Sequence, residues 1–359
     1  MRRAIELAKL GEGQVSPNPL VGCVIVKNNQ IISEGYHAKR GEGHAERNAI
    51  LKLNEQDLEG SELYCTLEPC CHTDKLTPPC TELIKKYSFS KIFIGHLDPN
   101  PKVAGNGIKQ LRDSGFKVEI GLLEKECGEL IRIFKKNIET STPYIHLKAA
   151  VSLDGKVCNA NNDSKWITDE SARLIAHEMR RKHDATAVGR GTLLHDDPGL
   201  TVRHVESERK KTRILFADIG KLQAGFNKYK LFKNTDLDPT IVVTHENHVN
   251  SERVLAARDL GVQFVFHSGD ALDLNVMREL YQKGVFSFLM EGGTGLLTSF
   301  VKASNYDELG LFIAPFMIGN GKSFFEDSQI VPLSEIERLK LSSTRTIGDQ
   351  ILASYIREN

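Results

Sequence analysis

Residues 44–46 read HAE and residues 62–80 read ELYCTLEPCCHTDKLTPPC, and together they decide how the first part of the chain folds. The run Glu62 to Thr66 predicts a short strand. Pro69-Cys70 leaves it, and Pro78-Pro79 suits the first turn of a helix that Cys80 then opens. His44 stands where another helical run, Ala45 to Leu53, begins. One imidazole and two thiolates are three ligands for zinc, which leaves the fourth tetrahedral position for water, as a catalytic rather than a structural site requires. Successive helical residues turn by about 100°. His44 and Glu46 therefore serve one centre only if it lies off the helix N-terminus, where the local positive charge also favours thiolate. Glu46 is then a carboxylate beside the metal that is not needed as a ligand and can move protons. Cys71 and His72 adjoin Cys70. The preceding Pro69 favours Cys70 as the ligand, and Cys71 stays open as the alternative.

Outward from this segment, helix and strand signals alternate. Ala4, Ile5 and Ala8 fall at helical spacing before Gly11 and Gly13. Val21 to Val26 and Ile31 to Tyr36 flank Lys27-Asn28-Asn29-Gln30, which reads as a hairpin. Cys80 to Tyr87 and Ile108 to Ser114 read as helices, and Lys91 to Gly95 and Lys117 to Gly121 as strands, a pattern that predicts an α/β sheet covered by helices. The polar run Glu139-Thr140-Ser141-Thr142-Pro143 precedes a fresh strand, so the expected domains are residues 1–142 and 143–359. Apolar runs at 185–188, 213–217, 240–244, 263–266 and 286–290 predict a second α/β domain.

The bulk numbers agree with two domains, because a single core rarely grows beyond about 250 to 300 residues and the chain has 359. Lys plus Arg and Asp plus Glu are 47 each, so the basic excess typical of nucleic-acid binders is missing and a small-molecule substrate is expected. Seven cysteines, three of them at metal-ligand spacing, suggest a reducing, cytoplasmic setting rather than a disulfide framework. Apolar runs such as Leu20 to Val26 fall well short of the ~18 to 20 residues of a membrane span, so no membrane association is expected.

The pattern His-x-Glu, Pro-Cys, then a second Cys is that of the zinc deaminases. Further segments narrow it: Ser16-Pro17-Asn18-Pro19-Leu20-Val21-Gly22-Cys23, Glu34-Gly35-Tyr36-His37, Leu67-Glu68-Pro69-Cys70, Thr77-Pro78-Pro79-Cys80 and Asp98-Pro99-Asn100-Pro101. With them the chain resembles the bifunctional deaminase/reductase family of riboflavin biosynthesis throughout its length. The resemblance implies a three-layer, cytidine-deaminase-like N-terminal domain with Zn2+ on His44, Cys70 and Cys80. It makes Glu46 catalytic and Asn18, His37 and Lys75 substrate contacts. One departure stands out: Cys70 and Cys80 enclose one residue more than the family's usual spacing, with Leu76 as the extra one, and counting from Cys71 would restore it.

The second half carries the matching signals of a reductase. YIHLKAAVSLDG at 144–155, Ser164-Lys165-Trp166-Ile167-Thr168, the stretch Gly189 to Arg203 and Met290-Glu291-Gly292-Gly293-Thr294-Gly295 resemble the family's dihydrofolate-reductase-like domain, which uses NADPH. By this resemblance Ala150, Trp166, Thr192, Asp196 and the loop Gly293, Thr294, Gly295, Leu296, Leu297 bind the cofactor, and Ser164, Arg180, Leu200, Arg203 and Glu291 bind the substrate. Lys148 is a further polar candidate near the reacting ribose. Guanidinium forks suit phosphate, and a glutamate buried at a strand end needs a partner or a function. Neither glycine segment is a full GxGxxG fingerprint, which disfavours a dinucleotide fold of the Rossmann kind. A deaminase of tRNA or free nucleosides would leave residues 144–359 idle, and a structural zinc module would not need Glu46. The family implies a homo-oligomer.

Overall fold

Asn28 and Asn29 reverse the chain with φ of 52° and 62°, the left-handed region that asparagine tolerates and a tight hairpin requires. This turn joins β1 (Gly22–Lys27) to β2 (Gln30–Tyr36). The computed structural model describes residues 1–73, 78–205, 209–223 and 225–357. It divides the chain into two units, Met1–Ser141 and Thr142–Asn359.

In the first unit β1 also pairs antiparallel with β3 (Glu62–Leu67), which runs parallel to β4 (Lys91–His96), itself parallel to β5 (Val118–Ile120). The sheet order is β2-β1-β3-β4-β5. Cys23 and Ile25 point to one face and Val24 to the other, the period-2 alternation of a strand. On the first face Ala49 and Ile50 of α2 (Ala45–Ile50), Leu58 of α3 (Glu55–Leu58), Ile84 of α4 (Cys80–Ile84) and Leu111 of α5 (Asn106–Asp113) close over Ile25, Leu63, Ile92 and Ile94. On the second, α1 (Arg2–Lys9) packs Ala4 and Leu7 on Val24, with α6 (Glu124–Leu130) beside it and α7 (Arg132–Thr140) following. The result is helix, sheet, helix in three layers.

Two glycines set how closely these helices approach. A Cβ on Gly22 would lie 1.9 Å from the Ala4 carbonyl oxygen, and one on Gly35 would lie 2.3 Å from that of Ala45. Gly35 thus seats the start of α2, and with it His44 and Glu46, directly on the hairpin.

The second unit holds a nine-stranded sheet in the order β11-β10-β9-β8-β12-β6-β13-β16-β15. Its parallel strands are β6 (Tyr144–Ser152), β8 (Ala185–Gly189), β9 (Thr212–Phe216), β10 (Thr240–His245), β11 (Gln263–His267), β12 (Ser287–Met290) and β13 (Glu308–Ala314). The antiparallel pair β16 (Gln350–Ile356) and β15 (Lys340–Ile347) extends it at one edge, and β7 (Lys156–Asn159) with β14 (Gly321–Ser323) forms a separate ribbon. Alternate residues again divide the faces. Ile214 and Phe216 meet α11 (Leu274–Gln282) and α12 (Thr294–Lys302), whereas Leu215 packs with α9 (Arg190–Asp196) and α10 (Glu252–Asp259). Helix α8 (Glu170–Lys182) covers Leu289 and Phe312 with Ala172 and Met179. Its N-cap Asp169 accepts the Ala172 N–H at 2.9 Å, satisfying one of the helix's orphan donors. Among the described residues no helix is long and apolar enough to cross a membrane.

The expected elements before residue 290 are present, with ends shifted: α2 stops at Ile50 rather than Leu53, and α5 starts at Asn106 rather than Ile108. The expectations did not include β7, β13, β14, β15 or β16. Nearly all of β15 is exposed, so it lacks the alternating apolar signal by which a half-buried strand is read.

Replacing Gly35 with alanine is expected to destabilise the first unit by about 1–3 kcal/mol, the usual cost of overpacking, because the obstructing atoms are helix backbone and not a flexible side chain. Urea unfolding of the variant against wild type measures it; an unchanged midpoint would show that α2 yields without cost.

Candidate active sites

In the first unit three ligand atoms converge. His44 is the N-cap of α2, Cys80 is the first residue of α4, and Cys70 lies in the loop after β3. His44 Nδ1 is 3.4 Å from the sulfur of Cys70 and 3.4 Å from that of Cys80. All three atoms lie within 4.8 Å of one another. A nitrogen and two thiol sulfurs in a half-buried pocket are the donor set that zinc prefers. Cys71 points elsewhere, its thiol 3.9 Å from the Lys102 carbonyl. Glu46 is 3% exposed beside this set. Burial first, then Cys70, push its carboxyl above the ordinary glutamate range, while His44 and a hydrogen bond from Cys80 oppose them. A raised pKa suits a group that must accept and return protons near neutrality.

The ligand loop is held from behind by Glu68, whose role no local sequence pattern signals. Its buried carboxylate accepts four backbone N–H groups: Gly107 at 2.9 Å and Ile108 at 3.2 Å on one oxygen, Gly105 at 2.9 Å and Asp98 at 3.2 Å on the other. Three of these belong to the start of α5, where orphan donors and the helix dipole favour an anion. From the other side Thr81 N–H donates to the Cys70 carbonyl at 3.2 Å. Cys70 is thus fixed by its neighbours on both sides.

Asn18 and His37 are brought together near the same centre, the His37 and His44 rings lying 5.4 Å apart. His37 Nδ1 is 3.1 Å from the Gly43 carbonyl, which can only accept, so Nδ1 carries the proton. Nε2 is therefore an acceptor and takes a hydrogen from Asn18 Nδ2 at 3.1 Å. Burial, and to a smaller degree His44, hold the His37 pKa below its ordinary value against the Gly43 contact, which favours the neutral ring. Both ring nitrogens are engaged, Nδ1 with the Gly43 carbonyl and Nε2 with Asn18. Lys75, like Leu76 and Thr77, lies outside the described residues.

In the second unit one cavity of about 1230 Å³ gathers most of the expected reductase residues. Ala150, Trp166, Thr192, Asp196, Gly293, Thr294, Gly295 and Leu296 line it, as do Ser164, Arg180, Leu200, Arg203 and Glu291. The helices α9 and α12 begin at its wall, after the adjacent strands β8 and β12. Helix starts and the cations Lys148, Arg190, Arg203 and Lys322 suit a cofactor and a substrate that both carry phosphate. A dinucleotide-sized cavity with this lining fits NADPH. Leu297 is the exception: one helical step beyond Leu296 turns it into the apolar core, away from the lining. Leu200 lines the cavity as well as packing in a core cluster, with φ of 53°. Trp166 is 70% exposed and stacks on Arg173, whose guanidinium carbon is 4.5 Å from the ring centre. Asp196 pairs with Lys165 at 3.4 Å.

The centre of this cavity is a charge cluster. Arg180 holds Glu291 with two hydrogen bonds, 2.5 Å and 3.1 Å, and Lys148 Nζ lies 3.7 Å from the same carboxylate. Burial alone would raise the Glu291 pKa; Arg180 and Lys148 override it and hold it at about 2. His177, absent from the sequence expectations, lies three residues before Arg180 on α8 and lines the cavity with it. Helical spacing from Arg180 was the available signal.

Comparison with known proteins bears on both units. A family profile described as the cytidine and deoxycytidylate deaminase zinc-binding region matches residues 1–96, and one described as the RibD C-terminal domain matches residues 143–353. The riboflavin biosynthesis protein RibD of Actinobacillus pleuropneumoniae is 39% identical over 361 residues, covering 99% of this chain and 94% of the relative. That of Aquifex aeolicus is 37% identical, covering 99% and 97%. A solved diaminohydroxyphosphoribosylaminopyrimidine deaminase/5-amino-6-(5-phosphoribosylamino)uracil reductase from Thermotoga maritima aligns with a TM-score of 0.87 and 34% identity, over 100% of this chain and 97% of its own. Acinetobacter baumannii RibD, form 1, aligns with a TM-score of 0.86 and 32% identity, over 100% and 98%.

The cavity of the second unit makes stability depend on acid. Burial, then Arg180 and Arg203, bring the His177 pKa down from 6.5 to about 4, and Glu291 is held at about 2 against an ordinary 4.5. Both groups bind protons less readily in the folded state, so the unfolded chain gains protons first as pH falls. The second unit is expected to lose stability between pH 6.5 and 4 through His177, and again between pH 4.5 and 2 through Glu291. Denaturant midpoints followed by fluorescence of Trp166, the chain's one tryptophan, check this; a midpoint constant from pH 7 to 4.5 would contradict it.

Proposed function

Because the chain belongs to the bifunctional riboflavin-biosynthesis deaminase/reductase family, we propose how its own residues divide the work of two reactions. The enzyme hydrolytically deaminates 2,5-diamino-6-ribosylaminopyrimidinone 5′-phosphate, then uses NADPH to reduce the ribosyl group to ribityl, giving 5-amino-6-(5-phosphoribitylamino)uracil. The N-terminal unit is a cytidine-deaminase-like zinc domain, and the C-terminal unit is a reductase of dihydrofolate-reductase-like fold.

For deamination, His44, Cys70 and Cys80 are assigned to zinc, which when bound supplies a Lewis acid that brings the pKa of water toward about 7. Glu46 is assigned the proton traffic. Its carboxylate relays both protons of the attacking water, the first to the ring nitrogen and the second to the amino group, which then departs as ammonia. Asn18, oriented by His37, is assigned to the edge of the pyrimidine, and Lys75 to its phosphate. The convergence of His44 Nδ1 with two cysteine sulfurs beside a buried glutamate carries this reading.

For reduction, NADPH when bound supplies the hydride. The helix start from Gly293 to Leu296 and the residues Ala150, Trp166, Thr192 and Asp196 are assigned to that cofactor, with Leu297 contributing through the helix core. Ser164, Leu200 and Arg203 are assigned to the ribosylamino-pyrimidine phosphate, and Arg180 keeps Glu291 ionised and in place. Lys148, paired with Glu291, is assigned the proton that the ribose ring oxygen takes up as the ring carbon is reduced. A homo-oligomer is supported by β15, a sheet edge with exposed residues such as Leu341. The balanced charge supports small molecules over nucleic acid, and seven free cysteines support a cytoplasmic setting.

Glu46→Gln is expected to cut ammonia release roughly 10²–10⁴-fold while zinc content and NADPH oxidation on the deaminated intermediate persist. Cys70→Ala should lose both zinc and ammonia release, and Cys71→Ala neither. Wild-type ammonia release by the Glu46 variant would remove the proton shuttle from the mechanism.

A further inference from the structure

Helix α8 turns two side chains onto the segment 200–204. His177 and Arg180, three residues apart, share one helix face. Arg180 Nη1 donates to the Thr201 carbonyl at 3.0 Å, and the backbone N–H of Arg203 donates to His177 Nδ1 at 3.1 Å. Because Nδ1 accepts, the hydrogen of the neutral ring sits on Nε2. Leu200 and His204 both have positive φ, 53° and 66°. That region is uncommon for non-glycine residues, and for a leucine more than for a histidine. Arg203 itself is exposed at the cavity wall, and its guanidinium makes no hydrogen bond or ion pair with the described residues.

We propose that His177 is a positioning residue of the reductase site: it pins the backbone at Arg203, so that the guanidinium is presented to the phosphate-bearing end of the substrate, and it leaves its Nε2–H as a donor at the cavity wall. This rests on the reading of Arg203 as a substrate contact. The surrounding charges suit the role. Arg180, Arg203 and His204 disfavour a cationic ring and Glu291 opposes them, with burial as the largest influence, so the ring is neutral and Nδ1 an acceptor at neutral pH. A protonated ring would turn a second donor against the Arg203 N–H.

The test uses the full-length, zinc-loaded enzyme, with ammonia release by the first unit as the internal control for an intact chain. His177→Leu should raise KM for the deaminated substrate about tenfold, the worth of one hydrogen bond, with KM for NADPH unchanged. His177→Gln should restore it, since one amide offers both an acceptor and a donor. His177→Asn, too short to reach the Arg203 N–H, replaces the leucine variant if that one does not fold. Arg203→Ala is the reference. If it leaves substrate KM unchanged, Arg203 is not a substrate contact and the proposal falls with that reading. If it raises KM while the leucine or asparagine variant does not, or if that variant shifts KM for NADPH equally, the positioning role alone is overturned. Failure of glutamine to restore KM also overturns it.

Discussion

A parallel strand must deliver its chain to the end of the sheet from which the next helix returns, and in both units the chemistry collects at that handover. In the first, Cys70 follows β3 and Cys80 opens the helix that leads back. In the second, β8 and β12 lie side by side; β8 runs straight into α9 and β12 reaches α12 after Glu291, Gly292 and Gly293, both helices beginning at the cavity wall. Unpaired backbone N–H groups and the positive ends of helices are concentrated there at no cost to the core. Thiolates in one unit and phosphates in the other are the anions that such ends favour.

What was legible in the sequence follows from how much chemistry constrains each residue. A zinc site admits few residue types, so His44, Cys70 and Cys80, whose ligand atoms converge within 4.8 Å, could be nominated without any structure, and so could Glu46 as the carboxylate beside them. The ambiguity between Cys70 and Cys71 was geometric, and it is geometry that sends the Cys71 thiol to the Lys102 carbonyl. Glu68 and His177 could not be read in the same way. Their task is to satisfy backbone N–H groups of distant segments, and nothing local to either residue announces which segment it will meet. Leu297 shows the same limit in reverse, because a run of consecutive residues was expected at the cofactor and a helix can face only part of any run toward one side.

The fold followed a similar division. Buried parallel strands such as β10 and β12 are continuous apolar runs and were visible, whereas β13, ELGLFIA, was missed although it is buried, parallel and equally apolar. The antiparallel edge was hidden, because β15 is solvated along nearly its whole length and its sequence, KLSSTRTI, carries no alternation. Such a strand is held by its ladder with β16, to which the tight turn at Gly348-Asp349 joins it.

An asparagine alone reads donor and acceptor indifferently, since turning its amide through half a circle exchanges the two. Asn18 has lost that freedom. The Gly43 carbonyl fixes the tautomer of His37, and His37 in turn fixes which end of the amide faces it. The carbonyl end of Asn18 is therefore committed by the protein alone. A pocket wall that could have been ambidextrous has a handedness of polarity, set by a backbone oxygen two hydrogen bonds away.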